Sequence, residues 1–425
     1  MLEGAEKLNL TRNMELFERA KKVIPGGVVG ARHPRNFVEG EYPIFLESGR
    51  GGRVIDIDGN EYIDLMCGYG PISLGYREKE VDEAVMQMMR EKGFCFSITP
   101  PYQPQLAEKL RELIPCSEMS IFTKTGSGAM TAAVRIARAY TNRIKVMRCG
   151  FHGWHDWCVE VKGGIPKKLY EDVYEFRYND LDQLEDLMTK HGDETAAITL
   201  TPFGHPLHEK MQEPKPGFLE GVRELADKYG AVLIFDEIRT AFRLRMGGAQ
   251  ELYRVTPDLA VVGKGMANGY AIGALTGKAE IMKVIAEGKA FVSSTFFGNS
   301  EGYVAALKTI EIMERENVIE KIWEKGGRFL EKLGAIISKY KVGAELSGVA
   351  PMYFITFKRD KAGVFKSRRT DFYAQLIRRG VFLAPYHHGY ICYRHTDEDL
   401  DLAAKAIDES LAYINERYGD FEEES

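Results

Sequence analysis

Residues 231–264 read AVLIFDEIRTAFRLRMGGAQELYRVTPDLAVVGK. Ala231 to Phe235 is a short apolar, β-branched run that ends at Asp236, and Leu259 to Val262 is a second one that ends at Gly263-Lys264. Short apolar runs without polar alternation predict strands buried on both faces, as in a parallel sheet. Each strand then delivers one ionisable side chain at its carboxyl end. In an open α/β sheet that is the edge along which ligands bind. Taken singly, Asp236 reads equally well as a helix cap and Lys264 as a loop lysine. Their joint placement, together with the turn described next, favours a bound ligand.

Working outward, the chain alternates strands and helices. Met119 to Thr123 predicts a strand, Thr125-Gly126-Ser127-Gly128 a turn of small residues, and AMTAAVRIARAY (129–140) a helix. A strand, a tight turn and a helix start aim backbone N–H groups and a helix dipole at one point, which suits an anion. The turn matches neither GxGxxG nor GxxxxGK[ST], which disfavours a dinucleotide or a nucleoside triphosphate and suits a single phosphate. The strand IKVMR (144–148) runs into CGFHGWHDW (149–157). There His152, His155 and Asp156 lack the spacing of a metal site, whereas Phe151 is placed to stack on a flat heterocycle. Helices over 180–190 and 216–230 flank the strand AAITL (196–200). The expected fold is α/β, with a mostly parallel central sheet and helices on both faces.

The ends of the chain differ in character. A helix over 14–23 stops at Pro25-Gly26-Gly27, and strand-like pieces fill 44–65 around the turn Asp58-Gly59-Asn60. The glycine-rich loop 68–75 reads either as a site of close backbone approach or as a plain connection. Beyond Glu316, helices over 318–340, 370–379 and 399–416 surround a strand at 352–358. The expected organisation is a large α/β domain over 78–316 and a small α+β domain built from 1–77 and 317–425.

Bulk properties narrow the function. The 425 residues allow more than one domain, and 44% hydrophobic and 28% charged residues are ordinary for a soluble globular protein. A net charge of -5, spread along the chain, points away from nucleic acid. Six cysteines (67, 95, 116, 149, 158 and 392) show no CxxC pair or zinc spacing, so a reducing, cytoplasmic setting without a metal is expected. The N-terminus lacks an apolar signal core, and no stretch approaches the roughly 20 apolar residues that span a bilayer.

A carboxylate and a lysine at neighbouring strand ends, with a single-phosphate turn, are the parts that hold pyridoxal phosphate. The lysine serves through a Schiff base and the acid through the protonated ring nitrogen. IPGGV (24–28), DIDGNEYIDL (56–65), FHGWHDW (151–157), LIFDEIRTAFR (233–243), GGAQELYRVTPDL (247–259), GKG (263–265), TFFGN (295–299) and HTDEDLD (395–401) occur in this order. With them the chain resembles the fold-type I pyridoxal-phosphate transferases. Within that group it resembles the class III aminotransferases, and among these the glutamate-1-semialdehyde 2,1-aminomutases. The resemblance implies that Lys264 carries the Schiff base and Asp236 pairs with the ring nitrogen. Gly126 and Ser127 would hold the phosphate. Phe151, with His152 beside it, and Ile238 would flank the ring, and Arg239 would lie near its phenolic oxygen. Thr295 matches a phosphate ligand supplied by the second subunit, which implies a homodimer. Chemistry adds that Asp236 must stay ionised and that Lys264 must act as a neutral amine.

Several positions depart from the aminomutase pattern. Arg239 stands where the aminomutases have methionine, KTGSGAM lacks the usual glutamate, and Thr201-Pro202 replaces Glu-Pro. Residues 385–389, PYHHG, lack an acidic residue, and GVVGARHPRNF differs from the aminomutase substrate loop. The favoured reading is therefore ping-pong transamination from an amine or amino acid, with a β-amino acid or its thioester as the chosen donor, to a 2-oxo acid. The aminomutase and an amino acid racemase or epimerase on the same fold are the alternatives. Arg32, Arg35 and Arg239 are candidate carboxylate clamps; the first two read equally as surface arginines. The loops 28–36, 158–170 and 203–213 are expected to select the donor.

Overall fold

The computed structural model describes residues 4–204, 210–361 and 363–423. Two compact units divide the chain: one holds residues 79–205 and 212–319, the other 1–78, 206–211 and 320–425.

The first unit is built on seven strands. In spatial order they are Met119–Thr123, Gly273–Gly277, Leu259–Val262, Val232–Asp236, Thr195–Leu200, Lys145–Cys149 and Val173–Glu175. Gly273–Gly277 runs antiparallel to both neighbours, and the remaining pairs are parallel, with Met147 opposite Ile198, Ile198 opposite Leu233 and Phe235 opposite Ala260. Every residue of Val232–Asp236 and of Leu259–Val262 is buried. Alternate side chains of one strand serve opposite faces. Val232 and Ile234 pack with Ala129, Ala133 and Ala137 of the helix Gly126–Thr141. Leu233 and Phe235 pack with Leu219 and Val222 of the helix Phe218–Tyr229 and with Leu184 and Met188 of Leu181–His191. An uninterrupted apolar strand is thus the signature of a sheet covered on both sides.

The second unit joins the two ends of the chain. Leu46–Arg50, Arg53–Asp56 and Glu61–Asp64 form an antiparallel ribbon, and Val381–Phe382 adds to it in parallel, Val381 opposite Ile63. A separate three-stranded sheet contains Ala344–Val349, Met352–Phe357 and Gly389–Tyr390. The strand at 344–349 is absent from the sequence reading, because Ser347 and Gly348, the latter with φ +92°, interrupt its apolar pattern. The helix expected at 370–379 begins earlier and spans Phe365–Arg378. Its polar first turn is held by Arg368, which is buried, pairs with Asp360 at 3.3 Å and donates to the Gly419 carbonyl. A short helix, Ala279–Met282, follows the antiparallel strand, after which the chain turns at Gly288 and buries Ala290. No described helix is long and apolar enough to cross a membrane.

Candidate active site

Asp236 is the last residue of its strand and is buried. One carboxylate oxygen accepts the Ile238 N–H at 3.2 Å, and the other lies 2.9 Å from His152 Nδ1. The His152 ring is buried, stacks at 10° on Trp157, and leaves Nε2 without a hydrogen-bond partner. His155 engages Thr131 at 2.7 Å, and Trp157 Nε1 donates to the same hydroxyl. The two histidines of the aromatic loop are therefore spent on different partners.

Lys264 follows the neighbouring strand through Gly263 and adopts a left-handed φ of +41°. A non-glycine residue there carries backbone strain. Burial of its amine, and then the guanidinium groups of Arg239 and Arg243, lower the Lys264 pKa to about 7, against the opposing pull of Asp236. A substantial neutral fraction at neutral pH follows. Arg239 and Arg243 are both buried; Arg239 Nη2 donates to the Gly204 carbonyl at 3.2 Å, and Arg243 Nε donates to the Arg239 carbonyl at 3.0 Å. The sequence reading overlooks Arg243. Its spacing of four from Arg239 is the available signal, but the segment between them is a series of turns in which that spacing has no fixed meaning.

Glu237, also overlooked, shapes this segment. It is fully buried and accepts hydrogen bonds from the Thr240 hydroxyl and from the N–H groups of Ala249 (2.8 Å) and Gln250 (2.9 Å). It thereby caps the helix Ala249–Tyr253 and folds residues 237–250 back on themselves.

The small-residue turn lies at the same place. The helix starts at Gly126 itself, with Thr125 as its cap: Thr125 Oγ1 accepts the Gly128 N–H at 3.1 Å, and the first turn carries no acidic residue. A Cβ at Gly126 would overlap Ile238 Cδ1, and one at Gly153 would overlap the Ser127 hydroxyl. Glycine at these two positions lets the turn close against Ile238 on one side and the 150–157 loop on the other.

Gly126, Ser127, His152, Asp236, Ile238, Arg239 and Lys264 are thus drawn into one network. Phe151 stands beside His152 and is half exposed. Thr295 is exposed on the short helical turn Thr295–Gly298, whose neighbours are residues 94–96. Arg32 and Arg35 belong to the other unit and are exposed, Arg32 lying over the Tyr69 ring at 5.6 Å. Residues 205–209 of the loop 203–213 lie outside the described residues.

This geometry suits pyridoxal phosphate: a helix start free of acid, a small-residue turn closed against Ile238 and the 150–157 loop, a buried carboxylate paired with histidine, and a lysine with a lowered pKa. The comparisons agree. The family described as Aminotransferase class-III matches residues 37–411. The chain belongs to the class-III aminotransferases and is a pyridoxal-phosphate enzyme of fold type I. It is 58% identical over 410 residues to a 3-aminobutyryl-CoA aminotransferase of Cloacimonas acidaminovorans, covering 96% of this chain and 99% of the relative. To a glutamate-1-semialdehyde 2,1-aminomutase 2 of an Exiguobacterium species it is 33% identical, with 96% and 99% covered. Among solved structures, the pyridoxal-phosphate-bound FumI protein of a Sphingopyxis species superposes with a TM-score of 0.91 at 29% identity, covering 97% of this chain and 98% of that one. An omega-transaminase of Sphaerobacter thermophilus gives 0.86 at 26% identity, with 95% and 100% covered.

Proposed function

We propose that this aminotransferase takes its amino group from a β-amino acyl thioester of the 3-aminobutyryl-CoA kind and passes it to a 2-oxo acid by a ping-pong cycle. The observation that carries the donor is the 58% identity, over nearly the whole chain, to an enzyme named for that substrate, against 33% to an aminomutase. Arg239 supports the same choice, since it replaces the aminomutase methionine with a buried cation beside Lys264.

Pyridoxal phosphate, when bound, supplies an aldehyde carbon that accepts an amine and a ring that takes up the electron pair left by a departing proton. In our reading the Gly126 and Ser127 N–H groups and the Ser127 hydroxyl hold its phosphate, while Phe151 and Ile238 enclose its ring. Asp236 keeps the ring nitrogen protonated, and His152 fixes the Asp236 carboxylate through Nδ1. Lys264 anchors the cofactor at rest. Its neutral Nζ would be the base that takes the proton from the amine-bearing carbon of the donor and carries it during the amino transfer. Arg239 is our candidate for holding the 2-oxo acid carboxylate. The working form is a homodimer in which Thr295 reaches the partner's phosphate site, and it acts in a reducing cytoplasm.

The test is a donor screen read on the cofactor spectrum, with 2-oxoglutarate and pyruvate as acceptors. 3-Aminobutyryl-CoA is expected to convert the bound cofactor to its amine form faster than free 3-aminobutyrate does. Rapid formation of 5-aminolevulinate from glutamate semialdehyde would overturn the reading in favour of a mutase. Loss of stereochemistry in a chiral amino acid without amino transfer would overturn it in favour of an epimerase.

A further inference from the structure

Cys67, Cys392 and His395 bring two sulfurs and one imidazole nitrogen within 4.8 Å of one another. All three side chains are buried, and all three belong to the unit formed by the two ends of the chain. Cys392 and His395 are spaced Cys-x-x-His on the turn that enters the helix Asp397–Tyr418, and Cys67 follows the strand Glu61–Asp64.

The turn is held from several directions. Lys325 Nζ donates to the carbonyls of Tyr393 (2.7 Å) and His395 (2.8 Å), and the Cys392 N–H donates to His395 Nδ1 at 3.0 Å. His395 Nε2 is buried and has no hydrogen-bond partner. Cys67 sits at a left-handed φ of +47° with its sulfur 3.5 Å from the Asp64 carbonyl.

We propose that Cys67, Cys392 and His395 bind one Zn(II) ion per chain. Two sulfurs and an imidazole select a thiophilic cation over magnesium or calcium, which require oxygen ligands. Binding expels one proton from each thiol, and the resulting set of two thiolates, one neutral imidazole and one divalent cation carries no net charge. A buried pocket tolerates such a set where it would reject a lone ion. Three protein ligands leave the fourth position to water. Asp64 stays outside the set, because its carboxylate already accepts the Tyr76 hydroxyl at 2.6 Å and the Met66 N–H at 2.8 Å. His395 also lines a cleft of about 450 Å³, with Lys325, Tyr393 and Asp397 among its walls, and this provides an entry route. Spacing alone conceals the site, because its third ligand lies near the other end of the sequence.

The test uses the cofactor-loaded enzyme, stripped with a chelator and then given zinc. About one zinc ion per chain is expected to survive gel filtration, and cadmium should produce an ultraviolet thiolate charge-transfer band that saturates at one equivalent. Cys392→Ser and Cys67→Ser should each lose the retained zinc and the band, while Cys95→Ser, which alters an exposed thiol, keeps both. Zinc should raise the Tm of the unaltered enzyme and leave that of Cys392→Ser unchanged. If the unaltered enzyme retains no zinc, the proposal fails whether or not the variants fold. It also fails if Cys392→Ser retains a full equivalent.

Discussion

Lys264 and Lys325 are two half-buried lysines whose amines are both pulled below the ordinary lysine range, chiefly by burial. Their surroundings set them to opposite tasks. Lys325 donates to two backbone carbonyls at 2.7 and 2.8 Å, acceptors that reward the ammonium form and fix it in place. Around Lys325, Cys392 and Asp397 come ahead of the guanidinium groups of Arg328 and Arg394 and favour the charged amine; around Lys264, burial and then the guanidinium groups of Arg239 and Arg243 outweigh Asp236 and lower the pKa to about 7. Burial alone therefore does not make a reactive amine. The sign of what surrounds it does, and a tethered lysine with satisfied donors is a structural pin.

The harshest way to break the comparison is to delete each amine. On its proposed roles as cofactor anchor and proton carrier, Lys264→Ala is expected to lower turnover by at least about 10³-fold. Its cofactor should then be held only non-covalently and wash out on dialysis; turnover near that of the parent enzyme would end the assignment. Lys325→Met should instead cost about 1–3 kcal/mol in urea unfolding, because buried carbonyls lose their donor. Its turnover should stay within about twofold, well below the effect of removing an acid–base group. A large fall in turnover without a fall in stability would show that the two lysines are not of different kinds.

The same contrast explains how much was legible from the sequence. The positions of Asp236 and Lys264 could be read because one ends and the other follows an unbroken apolar strand, and a strand covered on both faces has only its ends free for polar work. The helix start at Gly126 could be read because a small-residue turn precedes an alanine-rich run. Arg243 and Glu237 could not, since both are charged residues in a run of turns and ordinarily face water. Only the folded chain buries them, Glu237 as a clasp for 240, 249 and 250 and Arg243 beside Lys264. The Cys67, Cys392 and His395 cluster was hidden for a different reason: the pairing of Val381 with Ile63 brings distant segments into one sheet, and periodicity carries no record of that. The strand 344–349 and the early start at Phe365 were lost to local polar residues whose partners lie elsewhere in the chain.

The finest test acts on the charge around Lys264 and leaves its amine in place. Arg243→Met removes one of the two cations that lower its pKa, so the folded value should rise from about 7 toward the ordinary range. A rise of about one unit corresponds to roughly 1.4 kcal/mol, and at pH 7 it would reduce the neutral fraction several-fold. The donor half-reaction should slow accordingly at pH 7 and recover at pH 9, a crossing that general damage to the site would not produce. Stability gives the same sign independently. In the cofactor-free chain the folded pKa lies below the unfolded one, so between about pH 7 and 10 the unfolded chain binds more protons and stability rises with pH. Arg243→Met should start that rise at a higher pH, and Lys264→Met should abolish this contribution. If the parent and Arg243→Met profiles coincide in both measurements, the Arg243 guanidinium does not set the amine, and burial with Arg239 would have to account for its lowered pKa.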